Sequence, residues 1–269
     1  MSVVTISRGT FSGGKMLAEC LARRLGYRCI DRDVIVERAA AHGVSQDELR
    51  AALEKPPTLL ERFQHKKYLY LVLMQAALAE EVRTGKAIYH GLAGHLLLRG
   101  GTPVLRTRII APIEFRIRMA RDRLKLSRND AIAYIEKMDQ DRRKWTQYLY
   151  GVDWGDPSQY DVVINLEHIN IDQACRMLAT LLRDRCFQFT PECQAQMNDL
   201  AIASRVRARL ALTPATAHLE VDVEAHGGMV SIKGKLPNIS QIEEIEKLVL
   251  AVNGVTGLNT DELAPAAHA

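Results

Sequence analysis

Gly9-Thr10-Phe11-Ser12-Gly13-Gly14-Lys15 satisfies the spacing G-x-x-x-x-G-K, and its flanks decide how the chain folds. The β-branched run Val3 to Ser7 precedes it. Met16, Leu17, Cys20, Leu21 and Leu25 follow at helical spacing and stop at Gly26. Strand, glycine-rich turn and helix in that order make a βα unit. Its turn can aim successive backbone N–H groups, with the helix N-terminus behind them, at phosphate oxygens. Lys15 would add a point charge on the β and γ phosphates. Gly9, Ser12, Gly13, Gly14, Lys15 and Met16 are therefore the candidate cofactor-binding residues, and the plainer alternative is an ordinary glycine-rich turn. Met16 breaks the pattern, because the usual Ser or Thr hydroxyl after the lysine helps to hold Mg²⁺, and a soft thioether is a poor ligand for a hard cation.

Further along the chain the same alternation repeats. Strand-like runs at Tyr27 to Ile30, Ala87 to His90, Val104 to Ile110 and Tyr160 to Asn165 are separated by helical patterns. These include a long one over 58–84, others at 92–98, 113–126 and 127–148, and a last one over 171–185. Alternating strands and helices predict an α/β fold, a P-loop-type parallel sheet of about five strands flanked by helices, with a ligand at the carboxyl ends of the strands. The texture changes after Arg185. Residues 186–197 contain Pro191 and no clear period, which suits either a linker or an interdomain packing segment. A helix (199–212), two strands meeting at Gly227-Gly228, a helix (240–252) and a short strand (255–262) then predict a small α+β domain of order αββαβ. The expected division is 1–185, 186–197, 198–263 and a frayed tail 264–269.

Composition agrees with a folded chain of 269 residues: 47% is hydrophobic and 25% charged, near globular averages. Residues 1–185 carry 30 Lys+Arg against 22 Asp+Glu, and the remainder 6 against 10, so a net +8 gives way to −4. The basic part suits an anionic ligand, and the acidic part argues against nucleic acid or anionic lipid there. No recognition-helix, RNP or zinc pattern accompanies the charge. The first residues lack a secretory pattern, no apolar run suits a membrane span, and five cysteines without a CxxC pair fit reduced thiols, so a cytoplasmic protein is expected.

Asp31 and Asp33 close the second strand beside the first. Asp31 is the candidate metal-holding and catalytic carboxylate, acting on Mg²⁺ through water or orienting an attacking oxygen, and Asp33 a candidate substrate contact; helix N-capping is the alternative for both. Several stretches then resemble the cytidylate kinase-like family of P-loop nucleotide kinases: Thr5-Ile-Ser-Arg8 before Ser12-Gly-Gly-Lys15, Leu25-Gly-Tyr27, Asp31-Arg-Asp33, Ala111-Pro-Ile-Glu-Phe-Arg116, Asp139-Gln-Asp-Arg142 and Tyr160-Asp-Val-Val-Ile-Asn165. The resemblance spans about two thirds of the chain. It implies transfer of a phosphoryl group from ATP, with Mg²⁺, to a nucleoside monophosphate or related small acceptor. Lys15, Asp31, Arg116 and Arg142 would be catalytic, the two arginines closing on the phosphates with Asp139 as a lid partner and substrate contact. Arginine's fork suits such neutralisation.

The resemblance has gaps. A Gly-Arg pair expected after the third strand is replaced by Tyr89-His90-Gly91-Leu-Ala-Gly94-His95, which argues against CMP. His90 and His95 stand where the acceptor would lie, as substrate contacts or as hydrogen-bonding scaffold. Trp145, Tyr148, Tyr150 and Trp154 would stack on a base or pack under a lid. Residues 198–263 resemble a BON domain in element order and in Val230-Ser-Ile-Lys-Gly234 and Asn253-Gly-Val255, and are expected to regulate, oligomerise or touch a protein partner. Two functions therefore compete: an ATP-dependent kinase, and an ATP-binding sensor that relays occupancy through its second domain.

Overall fold

The computed structural model describes residues 2–54, 64–91, 93–99, 104–219, 221–238 and 240–265. Five parallel strands, β1 (Val3–Arg8), β2 (Arg28–Asp31), β3 (Ala87–His90), β4 (Val104–Ile110) and β5 (Val162–Asn165), form one sheet in the order β2-β3-β1-β4-β5. β1 runs centrally, and Val3, Val4 and Ile6 are all buried, as a strand covered on both faces requires. On one face α1 (Gly14–Leu25) and α8 (Ile171–Leu181) pack through Leu17, Leu21, Cys175 and Leu178. On the other lie α2 (Arg32–Ala40), α3 (Gln46–Glu54) and α4 (Gln64–Val82), with Ile35, Leu49, Leu73 and Leu78 in the core. Residues 58–63 of the long helical pattern lie outside the described residues.

Short α5 (Gly94–Leu97) follows β3, and the hairpin of α6 (Ile113–Leu124) and α7 (Arg128–Tyr150) stands over the carboxyl ends of the strands. Gly94 tolerates no side chain. A Cβ there would lie 2.4 Å from Cδ1 of Tyr89, a ring only 1% exposed. Gly94→Ala is therefore expected to destabilise by about 1–3 kcal/mol through overpacking; an unchanged urea midpoint would show that the ring yields.

In the second module β6 (Val221–His226) pairs antiparallel with β7 (Met229–Leu236), and β8 (Gly257–Pro265) adds parallel to β7. The Gly227-Gly228 turn has positive φ at both residues, 59° and 84°. Ala264 and Pro265, expected to fray, instead pair with Lys235 and Leu236.

The stretch 186–197 is not an extended connector. After a 3-10 turn at Arg185–Phe187, Thr190 caps α9 (Pro191–Leu212), which holds Cys193 and Met197 buried in its first turns. Met197 and Ala208 join the core of the large sheet, whereas Ile202, Val206 and Leu210 join that of the small one, together with Ile245 and Leu248 of α10 (Gln241–Leu250). A helix buried on two sides has no single apolar stripe, which is why its opening lacks a legible period.

Candidate functional site

The turn after β1 is built as its residues require. Gly13 has φ 87°, and a Cβ there would meet Leu166 and Ile171 at 3.1 and 3.3 Å. Phe11 takes the left-handed region too, at φ 59°. Ser12 is fully buried; its hydroxyl donates to Gly9 O and Ile109 O, pinning the turn to β4 rather than facing the cleft. Helix α1 starts at Gly14, and its first intrahelical bond is Leu17 N to Gly13 O. The amides of Gly13, Gly14, Lys15 and Met16 thus precede the helical ladder, and the N-cap residue, Gly13, has no side chain to cap them. Four N–H dipoles and the positive end of a helix converge there.

Of these four residues Lys15 borders a cavity of about 280 Å³, and Gly13, Lys15 and Met16 line a smaller one beside it. To the large cavity the carboxyl ends of three adjacent strands supply Arg8, Asp31 and His90; Lys15 comes from α1 and Arg32 and Asp33 from α2. Its opposite side is one face of α7, Tyr134, Met138, Asp141 and Arg142, at the four- and three-residue steps of a helix. The smaller cavity, of about 130 Å³, shares Arg8, Lys15 and Arg142 and reaches Phe11 and Met16. Met16, 38% exposed, contributes sulfur and no oxygen to that rim.

The helical hairpin is tied to the turn through Thr10. Asp139 Oδ1 accepts from Thr10 N at 2.9 Å and Thr10 Oγ1 at 2.7 Å, and its carboxylate pairs with Arg116. Arg116 Nε donates to Thr10 O at 2.7 Å, and its guanidinium lies against Gly9. Arg142 Nη1 donates to Thr10 Oγ1 at 2.9 Å and lies 3.5 Å from Asp139. Burial, reinforced by the guanidinium groups of Arg8, Arg32 and Arg116 and opposed by Asp139, brings the pKa of Arg142 down to about 10. It remains a cation at neutral pH.

Among the expected substrate contacts, Asp33 and His90 reach the large cavity, while Asp139 serves the latch just described. His95 does not line it. It sits 3% exposed on α5, 4.6 Å from the Tyr160 ring, with both ring nitrogens unpartnered, because the α5 turn directs it into the protein. Burial first, then nearby Arg99, Arg106 and Arg108, push its pKa down to about 3. That of His90 is pushed down to about 4, chiefly by burial and secondarily by Arg8. Asp31 caps α2, accepting from Val34 N at 3.0 Å, and capping does not remove it from the cavity lining.

Trp154 is 3% exposed; Arg108 lies 4.2 Å from its ring centre and its Nε1 donates to Ser7. Trp145 packs with Tyr150 at 5.9 Å. Trp145 and Tyr150 pack away from the large cavity, whereas Trp154, although buried, also lines it; Tyr148 is exposed and lines neither cavity. Sequence reasoning missed Arg8, Thr10, Arg32 and Asp141. The signal for Arg8 was a charge directly ending a buried strand; for Asp141 it was the helical step from Tyr134 and Met138.

Residues 3–168 match the cytidylate kinase-like family. The chain belongs to that family. Residues 198–264 match the BON domain. A cytidylate kinase of Thermococcus kodakarensis is 27% identical over 168 residues, 62% of this chain and 80% of that protein. An uncharacterized protein of known crystal structure from Eubacterium ventriosum superposes with a TM-score of 0.55 at 16% identity, over 69% of this chain and all of that one. Membership fixes a kinase-type fold around the cavity, with a BON domain attached. Among the described residues no helix is long and apolar enough to cross a membrane.

Proposed function

We propose that residues 1–185 form an ATP-dependent phosphotransferase that moves the γ-phosphate to a nucleoside monophosphate or related small acceptor. The uncapped amides of Gly13 to Met16, with Lys15 beside them at the edge of the cavity, carry this reading. Lys15 Nζ is half-exposed and only loosely held, 3.8 Å from Glu19, so it is free to turn to a triphosphate. Arg116 and Arg142 stand over the same turn as cations for the transferred group.

Mg²⁺ fits as a hydrated ion. Among the described residues no three acidic, histidine or cysteine side chains form a cage. Mg²⁺ at phosphate sites typically uses one or two carboxylates with water and phosphate oxygens. Asp31 Oδ1 is engaged with Val34, which leaves its other oxygen for that role, and Asp33 and Asp141 border the same space. The ion would neutralise charge between donor and acceptor. The BON domain, 198–263 in this division, is assigned a regulatory or assembly role through a protein partner or a second copy, and the whole chain is placed in the cytoplasm.

Lys15→Ala tests the donor site. Loss of a charge-assisted phosphate contact of about 1.5–3 kcal/mol should weaken ATP binding roughly 10- to 100-fold while the circular dichroism spectrum stays unchanged. Equal affinity in the two proteins would remove the site from this turn. ATP binding without turnover on any acceptor would instead favour the sensor reading, which the thioether of Met16 supports.

A further inference from the structure

Arg207 lies in the middle of α9, and the two ends of its guanidinium serve different modules. Val206 beside it belongs to the core of the small sheet and Ala208 to that of the large one. Nη2 donates to Val223 O on β6 and lies 3.7 Å from Asp222. Nη1 donates to Gln75 Oε1 of α4 at 3.3 Å. Gln75 carries the link onward, because its Nε2 donates to Leu97 O at the end of α5, at 3.0 Å. The direction of these bonds fixes the residue type. A guanidinium can only donate and a carbonyl can only accept, so the side chain between them must offer an acceptor to one and a donor to the other, as an amide does.

Other ties between the modules stop at the end of α4: Arg205 pairs with Glu80 at 2.9 Å, and Arg83 donates to Asn198 Oδ1 at 3.3 Å. The bridge through Gln75 goes further. α5 is a helix of four residues, and a single turn does not hold itself, so its place depends on its contacts. Ala93 and Leu96 pack on the buried ring of Trp145, which lies on α7 one helical turn beyond Arg142.

We infer that Arg207 is a positioning residue for the transfer site: through Gln75 it holds α5, and through α5 it steadies the helix from which Arg142 reaches the cavity. The BON domain is thereby a working part of the kinase-like module. The inference rests on the phosphotransfer reading for what Arg142 does, whereas the link itself stands on hydrogen bonds and packing. A guanidinium that served the small sheet alone would end at Val223 and Asp222.

The test follows hydrogen exchange by mass spectrometry in the full chain, over α5 and over 143–150 of α7, with α1 as reference. Arg207→Met should lower protection of both segments about 5-fold and leave α1 unchanged. Gln75→Glu separates the two links. Its carboxylate keeps an acceptor for Arg207 and has no donor for Leu97 O, so α5 and α7 should loosen while β6 does not. The double variant should lose no more at α5 than Gln75→Glu alone. Arg205→Met removes a cation from the same interface without contacting Gln75, and should leave α5 and α7 as in the parent. Mg-ATP hydrolysis, with water as the acceptor, supplies a second readout. Arg207→Met should cut turnover about 5-fold with ATP affinity within about twofold, and Arg207→Lys should recover part of the rate. Unchanged exchange at α5 and α7 in both Arg207→Met and Gln75→Glu overturns the inference. So does an equal loss in Arg205→Met, which would show general loosening of the docked module, and so does full turnover in a variant whose α5 and α7 have loosened. If Arg207→Met does not fold, Gln75→Glu and Arg207→Lys decide on the same criteria. A chain whose exchange responds as expected but which neither binds nor hydrolyses Mg-ATP strikes the phosphotransfer reading and leaves the link standing.

Discussion

Arg142→Ala is expected to slow phosphoryl transfer by about 10³-fold while costing ATP affinity less than about 10-fold. The asymmetry follows from position. In the proposed reaction the donor is gripped by amides and Lys15 on α1, whereas Arg142 reaches the cavity from α7 and would add its charge beside the transferred group. Thr10 would still be held by Asp139 and Arg116, so the turn keeps its shape. Arg142→Lys should recover only part of the rate, because a point charge replaces a fork. Single-turnover transfer and ATP titration, run on the same preparations, separate the two quantities. A loss of ATP affinity equal to the loss of rate would contradict the role.

The second large effect concerns pH. His90 and His95 are held neutral, with pKa values near 4 and 3 in the folded chain against 6.5 for an ordinary histidine. A depressed value means that the unfolded chain binds more protons as pH falls. Stability is thus fully present above about pH 6.5 and declines through 4 towards 3. A tenfold weakening of proton affinity corresponds to about 1.4 kcal/mol, so the pair is worth several kcal/mol on the acid side. Urea midpoints measured from pH 7 to 4 should fall steeply for the parent and less steeply for His95→Leu, which removes two unpartnered buried nitrogens. Parallel curves would show that His95 finds a partner or water.

The strands of the large sheet were legible because their signals are local. Val3 to Ser7, Ala87 to His90 and Val104 to Ile110 each carry apolar or β-branched residues between glycine, proline or charged breaks, and β1, β3 and β4 lie where those runs predict. The glycine turn was legible for the same reason, since Gly13 needs its positive φ whatever the rest of the chain does. Residues 186–197 were not. Their burial depends on α4 and the large sheet, against which α9 packs: Arg205 pairs with Glu80 at 2.9 Å and Gln194 donates to Arg83 O.

Local pattern thus set the order of strands and helices, the place of the glycine-rich turn and the existence of a second small module, because backbone conformation and apolar periodicity are properties of neighbouring residues. Which charges meet was settled only by packing. The parallel crossovers bring the ends of β1, β2 and β3 side by side, so Arg8, Asp31 and His90 share one cavity with Arg142 from a helix far along the chain. The same packing turns His95 inward and sets Trp154 at the cavity wall against Arg108. Electrostatic and steric partners are chosen by distance in space, and that distance does not exist until the sheet has closed against its helices.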